Sequence, residues 1–188
     1  MYMTKVILGL TISLDGFAED INGSVGKLYP DLDTLRETEV LKESISSTGS
    51  VVMSKKEFAM AEDPDSLADN YEYQVPIFVF TDKAPKKYPK ENDKLSFTFV
   101  TDGIKSAVRQ AKTAAGDKDV TIIGSASTAQ EGIKSGLADE LHIDIIPLFL
   151  KRGYRPFEDI GNKAIEVERI KVIALPAGRT HLRFRFIK

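Results

Sequence analysis

The chain has 188 residues, of which 42% are hydrophobic and 29% charged, and 26 basic side chains against 28 acidic ones leave a formal charge of -2. Such a balance is that of a packed globular domain and excludes a disordered chain, while the even mixing of charge excludes a basic stripe for a nucleic-acid backbone. The absence of cysteine and the two isolated histidines exclude disulfides, thiolate catalysis and Cys- or His-rich metal sites. No apolar run approaches the roughly 20 residues needed to span a bilayer, and Met1 runs into a strand-like segment without a signal-peptide layout. One domain over residues 1–188, soluble and cytoplasmic, is expected, without membrane or nucleic-acid partners.

Lys5 to Ile12 is an apolar, β-branched run of strand length, followed by Asp15-Gly16 and a loop from Ser13 to about Tyr29. Connectors of that length are often functional. Pro30 suits the first position of a helix, with Asp31 and Asp33 favourable against its dipole and an apolar stripe of Leu32, Leu35, Leu41 and Ile45, which predicts one helix ending near Ser46 to Gly49. Ser50 to Met53 is a short buried strand opening into Ser54-Lys55-Lys56, and 59–72 is polar without a clear period.

Val75 to Thr81 and Leu95 to Thr101 are strands, and Ile104, Ala107, Val108, Ala111 and Ala115 mark one face of a helix. Val120 to Ile123 is a strand ending at Gly124, after which Ser127 and Gln130 resemble a capping box for a helix that stops at Gly136. Leu141 to Phe149, Ala164 to Ala174 and Arg179 to Ile187 complete the strands, with Pro176-Ala177-Gly178 turning the last two into a hairpin. His142 and His181 fall in strand-like alternation and are assigned to a sheet face. The predicted fold is three-layer α/β/α, with a mixed, mostly parallel sheet of about eight strands and a C-terminal antiparallel hairpin.

In such sheets ligands bind at the carboxyl ends of parallel strands, where helix N-termini offer free N–H groups to phosphate. Gly124, Ser125, Ala126 and Ser127 stand at such a junction, where they could hold a pyrophosphate or merely cap a helix. Lys55 and Lys56 beyond Ser54, and Thr81 with Lys83 after the next strand, could meet a 2′-phosphate or be solvated. Asp15 is by default a turn residue, and Asp31 and Asp33 are by default dipole chemistry; a reductase would also need a carboxylate near its hydride acceptor, which makes these three the candidate acids.

Taken in order, these segments resemble the reductase domain of bacterial bifunctional riboflavin biosynthesis deaminase-reductases, within the dihydrofolate-reductase-like superfamily. The resemblance spans nearly the whole chain. It rests on Ser13-Leu14-Asp15-Gly16-Phe17, on Val51-Val52-Met53 before a basic turn, on Val120 to Ala126, and on Gly136 to Leu141 running into Ile146-Pro147-Leu148-Phe149. It implies an NADPH-dependent reductase of a pterin-like or ribosylaminopyrimidine-like compound, acting as a homodimer. The Gly124 turn would meet the pyrophosphate, Ser54 to Lys56 the adenosine phosphate, and the loop from Ser13 would border the nicotinamide and substrate.

The chain departs from the family's usual Met-Gly-Arg at Met53-Ser54-Lys55, where lysine lacks arginine's bidentate fork, and from its usual Gly-Gly at Gly124-Ser125, where a Cβ is added. No zinc signature of a deaminase is present in a cysteine-free chain. The alternative is a nucleotide-binding or interaction protein that kept the fold without the chemistry.

Overall fold

The computed structural model describes residues 4–188, so Met1 lies outside the described residues. In chain order the elements are β1 (Val6–Ser13), α1 (Leu32–Arg36), α2 (Glu39–Ser47), β2 (Thr48–Ser54), α3 (Lys55–Phe58), α4 (Leu67–Asn70) and β3 (Ile77–Phe80). They continue with β4 (Phe97–Val100), α5 (Ile104–Ala115), β5 (Asp119–Ile123), α6 (Ala126–Lys134), β6 (Glu140–Ile146), β7 (Val167–Ala174) and β8 (Thr180–Phe186). Short 3-10 turns lie at Gly26–Leu28, Pro64–Ser66 and Pro176–Gly178.

The strands form one eight-stranded sheet in the order β4-β3-β2-β5-β1-β6-β8-β7. Pairs β3–β4, β2–β3, β2–β5 and β1–β6 are parallel, and β6–β8 and β7–β8 antiparallel. With helices flanking it, this is the mixed, mostly parallel sheet with a C-terminal antiparallel hairpin that the pattern predicts.

Two compact units can be told apart by their internal packing. The first holds residues 44–123 together with 4–6 among the described ones. Its core is Val51, Met53, Ile77, Val79, Leu95 and Phe97, with Phe58 set edge-on to Phe97 and Phe99. Val51, Ile77 and Val79 are fully buried, and each such side chain contributes roughly 1.5–3 kcal/mol relative to exposure. Helix α5 buries the predicted face, and the Ser50 hydroxyl donates to the Ala111 carbonyl at 2.9 Å.

The second unit comprises residues 7–43 and 124–188. Strand β1 is apolar on both faces because it is an interior parallel strand, with Ile7 opposite Glu140 and Ser13 opposite Ile146. Strand β8 lies against β6 so that Asp144 faces His181, His142 faces Arg183 and Glu140 faces Arg185.

Several boundaries differ from the expected ones. The single helix from Pro30 is two, because the Thr38 hydroxyl donates to Leu35 O at 2.7 Å and accepts from Leu41 N at 3.3 Å, ending one helix and capping the next. Pro30 lies outside α1, and Asp31 takes the N-cap position without using its side chain as a cap. Helix α6 opens at Ala126, which puts Ser125 rather than Ser127 at the N-cap. Strand β6 stops at Ile146, before Pro147, which has no N–H to donate to a ladder.

Candidate active site

In the second unit the loop after β1 is clasped to residues 148–155 mainly through backbone. Leu14 N donates to Leu148 O, Ala18 N to Tyr154 O and Tyr154 N to Glu19 O, at 2.9, 2.9 and 3.0 Å. Gly153, at φ +151°, is required here, since a Cβ on it would stand 1.9 Å from Glu19 O. The Arg155 guanidinium lies 4.1 Å from the centre of the Phe17 ring.

Asp15 completes this clasp. Its Oδ1 accepts from the Ser13 hydroxyl at 2.6 Å and from Leu150 N at 3.1 Å, and its Oδ2 accepts from Lys151 N at 2.8 Å. Partial burial pushes its pKa up, but the bonds from Ser13, Lys151 and Leu150 outweigh that and hold the carboxyl below its ordinary value. The same bonds hold Lys151 at φ +67°, a conformation that non-glycine residues seldom adopt.

Asp31 is placed differently. Its two oxygens accept from Arg179, Oδ1 from Nη2 at 2.6 Å and Oδ2 from Nε at 3.0 Å. The Arg179 side chain has no exposed surface; it also donates to Leu28 O and Asp144 Oδ2, both at 3.1 Å. Hydrogen bonding from Arg179 outweighs burial and holds the Asp31 carboxyl below its ordinary range. Asp33 is fully exposed, 3.6 Å from Arg36 on the same helix face. The three candidate acids therefore stand in three settings and do not converge.

Beyond Arg179 the polar chain continues. Asp144 Oδ1 lies 2.7 Å from His181 Nδ1, and Arg183 Nε donates to His181 Nε2 at 2.9 Å. Arginine cannot accept, so Nε2 is unprotonated and the ring proton sits on Nδ1, facing Asp144. Arg183 also grips Glu43 at 2.9 and 3.0 Å. His142 meets the His181 ring edge-on at 5.7 Å, and desolvation pushes its pKa down to about 4 against the opposing effect of Glu140, 3.1 Å away.

Residue spacing assigns no role to Arg179, Asp144, Arg183, Glu43 or Glu19. A signal was present for part of this set, because Glu140, His142 and Asp144 in β6 and His181, Arg183 and Arg185 in β8 are polar at every second position.

At the junction of β5 and α6, Gly124 is required by close packing, since a Cβ there would meet Thr128 side-chain atoms at 2.8 Å. Ser125, buried, has an ordinary φ of -75°, so its own Cβ is accommodated without strain. The Ser125 and Ser127 hydroxyls are 3.4 Å apart, and Ala126 N donates to Glu19 Oε1 at 3.2 Å.

In the first unit, Ser54 and Phe80 stand opposite each other at the ends of parallel strands β2 and β3. This brings Lys55 and Lys56 to the same sheet edge as Thr81 and Lys83. Ser54 caps α3 through a capping box in which Glu57 accepts from both Ser54 N and its hydroxyl, while the hydroxyl accepts from Lys56 N at 3.1 Å. The Thr81 hydroxyl donates to Lys83 O at 3.0 Å, and all three lysines are exposed. Among the described residues no group of three or more His, Cys, Asp or Glu could hold a metal ion.

A family model described as the RibD C-terminal domain matches residues 4–180. The chain belongs to the RibD C-terminal domain family. This makes it a riboflavin-biosynthesis reductase-like domain, the family level that Ser13 to Phe17, Val120 to Ala126 and Gly136 to Phe149 point to. A protein of Bacillus subtilis (strain 168), YyaP, described as uncharacterized, is 28% identical over 165 residues, covering 83% of this chain and 81% of its own.

Solved structures show the same fold at low identity. A Shewanella sp. PV-4 protein named for riboflavin biosynthesis superposes with a TM-score of 0.76 and 20% identity, covering 98% of this chain and 100% of its own. A Thermotoga maritima diaminohydroxyphosphoribosylaminopyrimidine deaminase/5-amino-6-(5-phosphoribosylamino)uracil reductase gives 0.70 and 14%, with 98% of this chain matching 57% of that one. Dihydrofolate reductase of Enterococcus faecalis, complexed with NADP(H) and RAB-propyl, gives 0.63 and 13%, with coverages of 98% and 97%. The RibD-type domain thus has a dihydrofolate-reductase-like fold, and no helix among the described residues is long and apolar enough to cross a membrane.

Proposed function

We propose that this RibD-type domain is an NADPH-dependent reductase of a small polar heterocycle, ribosylaminopyrimidine-like or pterin-like. The observation that carries the reading is the register of β2 and β3. It sets Lys55, Lys56, Thr81 and Lys83 at one edge of a parallel sheet, in a chain that its family model matches almost end to end. Cations and a hydroxyl at the carboxyl ends of parallel strands suit the 2′-phosphate of NADPH.

The donor set also fits at the other turn. The amides and hydroxyls of Gly124, Ser125, Ala126 and Ser127 are neutral donors at a helix N-terminus and would take the pyrophosphate once the Ala126 amide is released from Glu19. When bound, NADPH would supply the hydride. The chain's own work is then to bind and orient. Asp31, ionised and fixed by Arg179, can accept hydrogen bonds from a heterocycle but is a poor proton donor. Asp15 fixes the loop that borders the nicotinamide in this reading, and Asp33 is left to the helix dipole.

Exposed apolar residues on the edge strand β7, among them Val167, Ile170 and Val172, support a homodimer. A cytoplasmic location goes with this reading.

Titrating NADPH and NADH against the purified protein tests the proposal: tighter binding of NADPH is expected, and equal affinities or no binding would overturn it. The second reading, a nucleotide-binding or interaction protein without chemistry, draws on the two carboxylates at the turns, Glu57 against Ser54 and Glu19 against Ala126. Cofactor binding with no turnover of any reducible pyrimidine or pterin would favour it.

A further inference from the structure

We infer that Glu19 is an internal anion seated at the N-terminus of α6, and that the phosphate groups of a bound ligand must displace it to occupy the Gly124–Ser127 turn. The inference rests on the cofactor reading above for the identity of that ligand, not for the position of the carboxylate.

Glu19 has no exposed surface, and its Oε1 accepts the Ala126 amide across 107 residues of chain. Ala126 is the first residue of a nine-residue helix. A carboxylate there makes the interaction that a phosphate oxygen would make with the same amide and the same dipole. Two anions brought to one helix end repel each other, and the repulsion is little screened where water is excluded. The turn therefore holds either Glu19 or a ligand phosphate.

Which part moves follows from the backbone. Ala18 N and Glu19 O are tied to Tyr154, and Gly153 packs against the Glu19 carbonyl. The main chain at this point is fixed, so displacement is a rotation of the Glu19 side chain, with the clasp left in place. Glu19 then sets how tightly the turn takes phosphate, and it keeps the helix end satisfied when no ligand is bound.

The test compares wild-type full-length protein with Glu19→Gln, an isosteric change whose amide oxygen still accepts from Ala126 N. NADPH and inorganic pyrophosphate are titrated into both by calorimetry at low ionic strength. The Ala126 amide resonance of the wild-type protein is followed during the pyrophosphate titration, which reads displacement without any variant. Tighter binding of both ligands by E19Q, about tenfold, is expected for removal of one opposing charge at a helix end, together with a shift of the Ala126 resonance.

NADPH bound equally or less tightly by E19Q, with no movement of Ala126, would overturn the inference and leave the cofactor reading standing. Pyrophosphate bound more tightly by E19Q while neither protein binds NADPH would sustain the inference and end the nicotinamide reading. Failure of both ligands to bind either protein would end both.

Discussion

Asp31 and Arg179, 148 residues apart in the chain, form a two-point ion pair at 2.6 and 3.0 Å, with 5% of the Asp31 side chain and none of the Arg179 side chain exposed. It fastens the end of the long loop after β1 to the start of β8. Removing one partner of a buried pair leaves the other charge uncompensated, a loss of about 3–5 kcal/mol. Arg179→Leu should approach that figure in urea denaturation, because Asp31 and Asp144 both lose their cation. The pH dependence has a definite sign. The folded-state pKa of Asp31 lies below its ordinary 3.8, so its contribution is fully present above that value and is lost as pH falls through the lower, folded-state value. Asp31→Asn should lower stability at neutral pH and flatten the stability curve below about pH 4; an unchanged acid limb would show that the pair adds nothing.

Gly153 is a second point at which one atom decides the outcome. At φ +151°, with a Cβ position 1.9 Å from Glu19 O, Gly153→Ala must break the Glu19–Tyr154 pairing. A clash against backbone in a conformation reserved for glycine should cost roughly 2–4 kcal/mol. Amide exchange at Ala18 and Tyr154 should rise by more than it does elsewhere. A melting temperature within a degree of wild type would mean that the clasp is not rigid.

The eight strands and helix α5 were legible because they follow from periods of two and 3.6 and from glycine and proline punctuation. The stripe of leucines predicts α1 and α2 as one helix because the Thr38 hydroxyl, which separates them, is a local competitor that hydrophobic spacing does not reveal. Ser54 and Gly124 lie at strand ends, as their positions predict, and each turn carries one carboxylate, Glu57 on Ser54 and Glu19 on Ala126. Glu57 sits only three residues from Ser54, a local contact that reading Ser54 to Lys56 as a basic turn does not single out, whereas Glu19 reaches Ala126 across 107 residues and only the fold brings them together. Arg179 was hidden for the same reason: on paper it is one more basic residue after a hairpin turn, and its burial depends on acids from an early loop and from β6.

Lys55 and Lys56 are exposed at the end of β2, and their side chains are not part of the core. If they meet the 2′-phosphate, the double alanine variant should weaken NADPH by about 1.5–3 kcal/mol per lost charge-assisted bond and leave NADH binding almost unchanged. Its unliganded melting temperature should match wild type, since exposed lysines contribute little. Equal losses for both dinucleotides would remove the 2′-phosphate from the reading.

Strand β7 is the outer strand of the sheet, and Val167, Ile170 and Val172 are 40, 40 and 53% exposed. Apolar side chains left exposed on an edge strand are a surface on which another chain can pair. Light scattering at micromolar concentration should return twice the 20.8 kDa chain mass, and the double variant Ile170→Lys, Val172→Glu should return one chain while still folded by circular dichroism. A monomeric wild type would refute the homodimer.

The three candidate acids differ enough in setting that their asparagine variants should separate cleanly. Asp33 is fully exposed beside Arg36, so D33N should cost no more than about 0.3–1 kcal/mol of helix-dipole stability and leave turnover intact. Asp15 holds Leu150 N and Lys151 N through both oxygens; an amide can still accept from one of them but must present N–H to the other. D15N should therefore loosen the Leu150–Lys151 loop and raise KM, with the chemical step less affected. Asp31 is the acid that Arg179 keeps ionised, suited to receiving hydrogen bonds from a heterocycle rather than to giving it a proton. D31N should bind NADPH normally and lose single-turnover hydride transfer by roughly 10²-fold or more, the scale of losing one positioned hydrogen-bond partner of the reacting group. Because the same change also loosens a buried ion pair, the rates must be compared at a temperature where D31N is fully folded. Full activity in D31N under that condition would leave the Asp31–Arg179 pair a purely structural clamp.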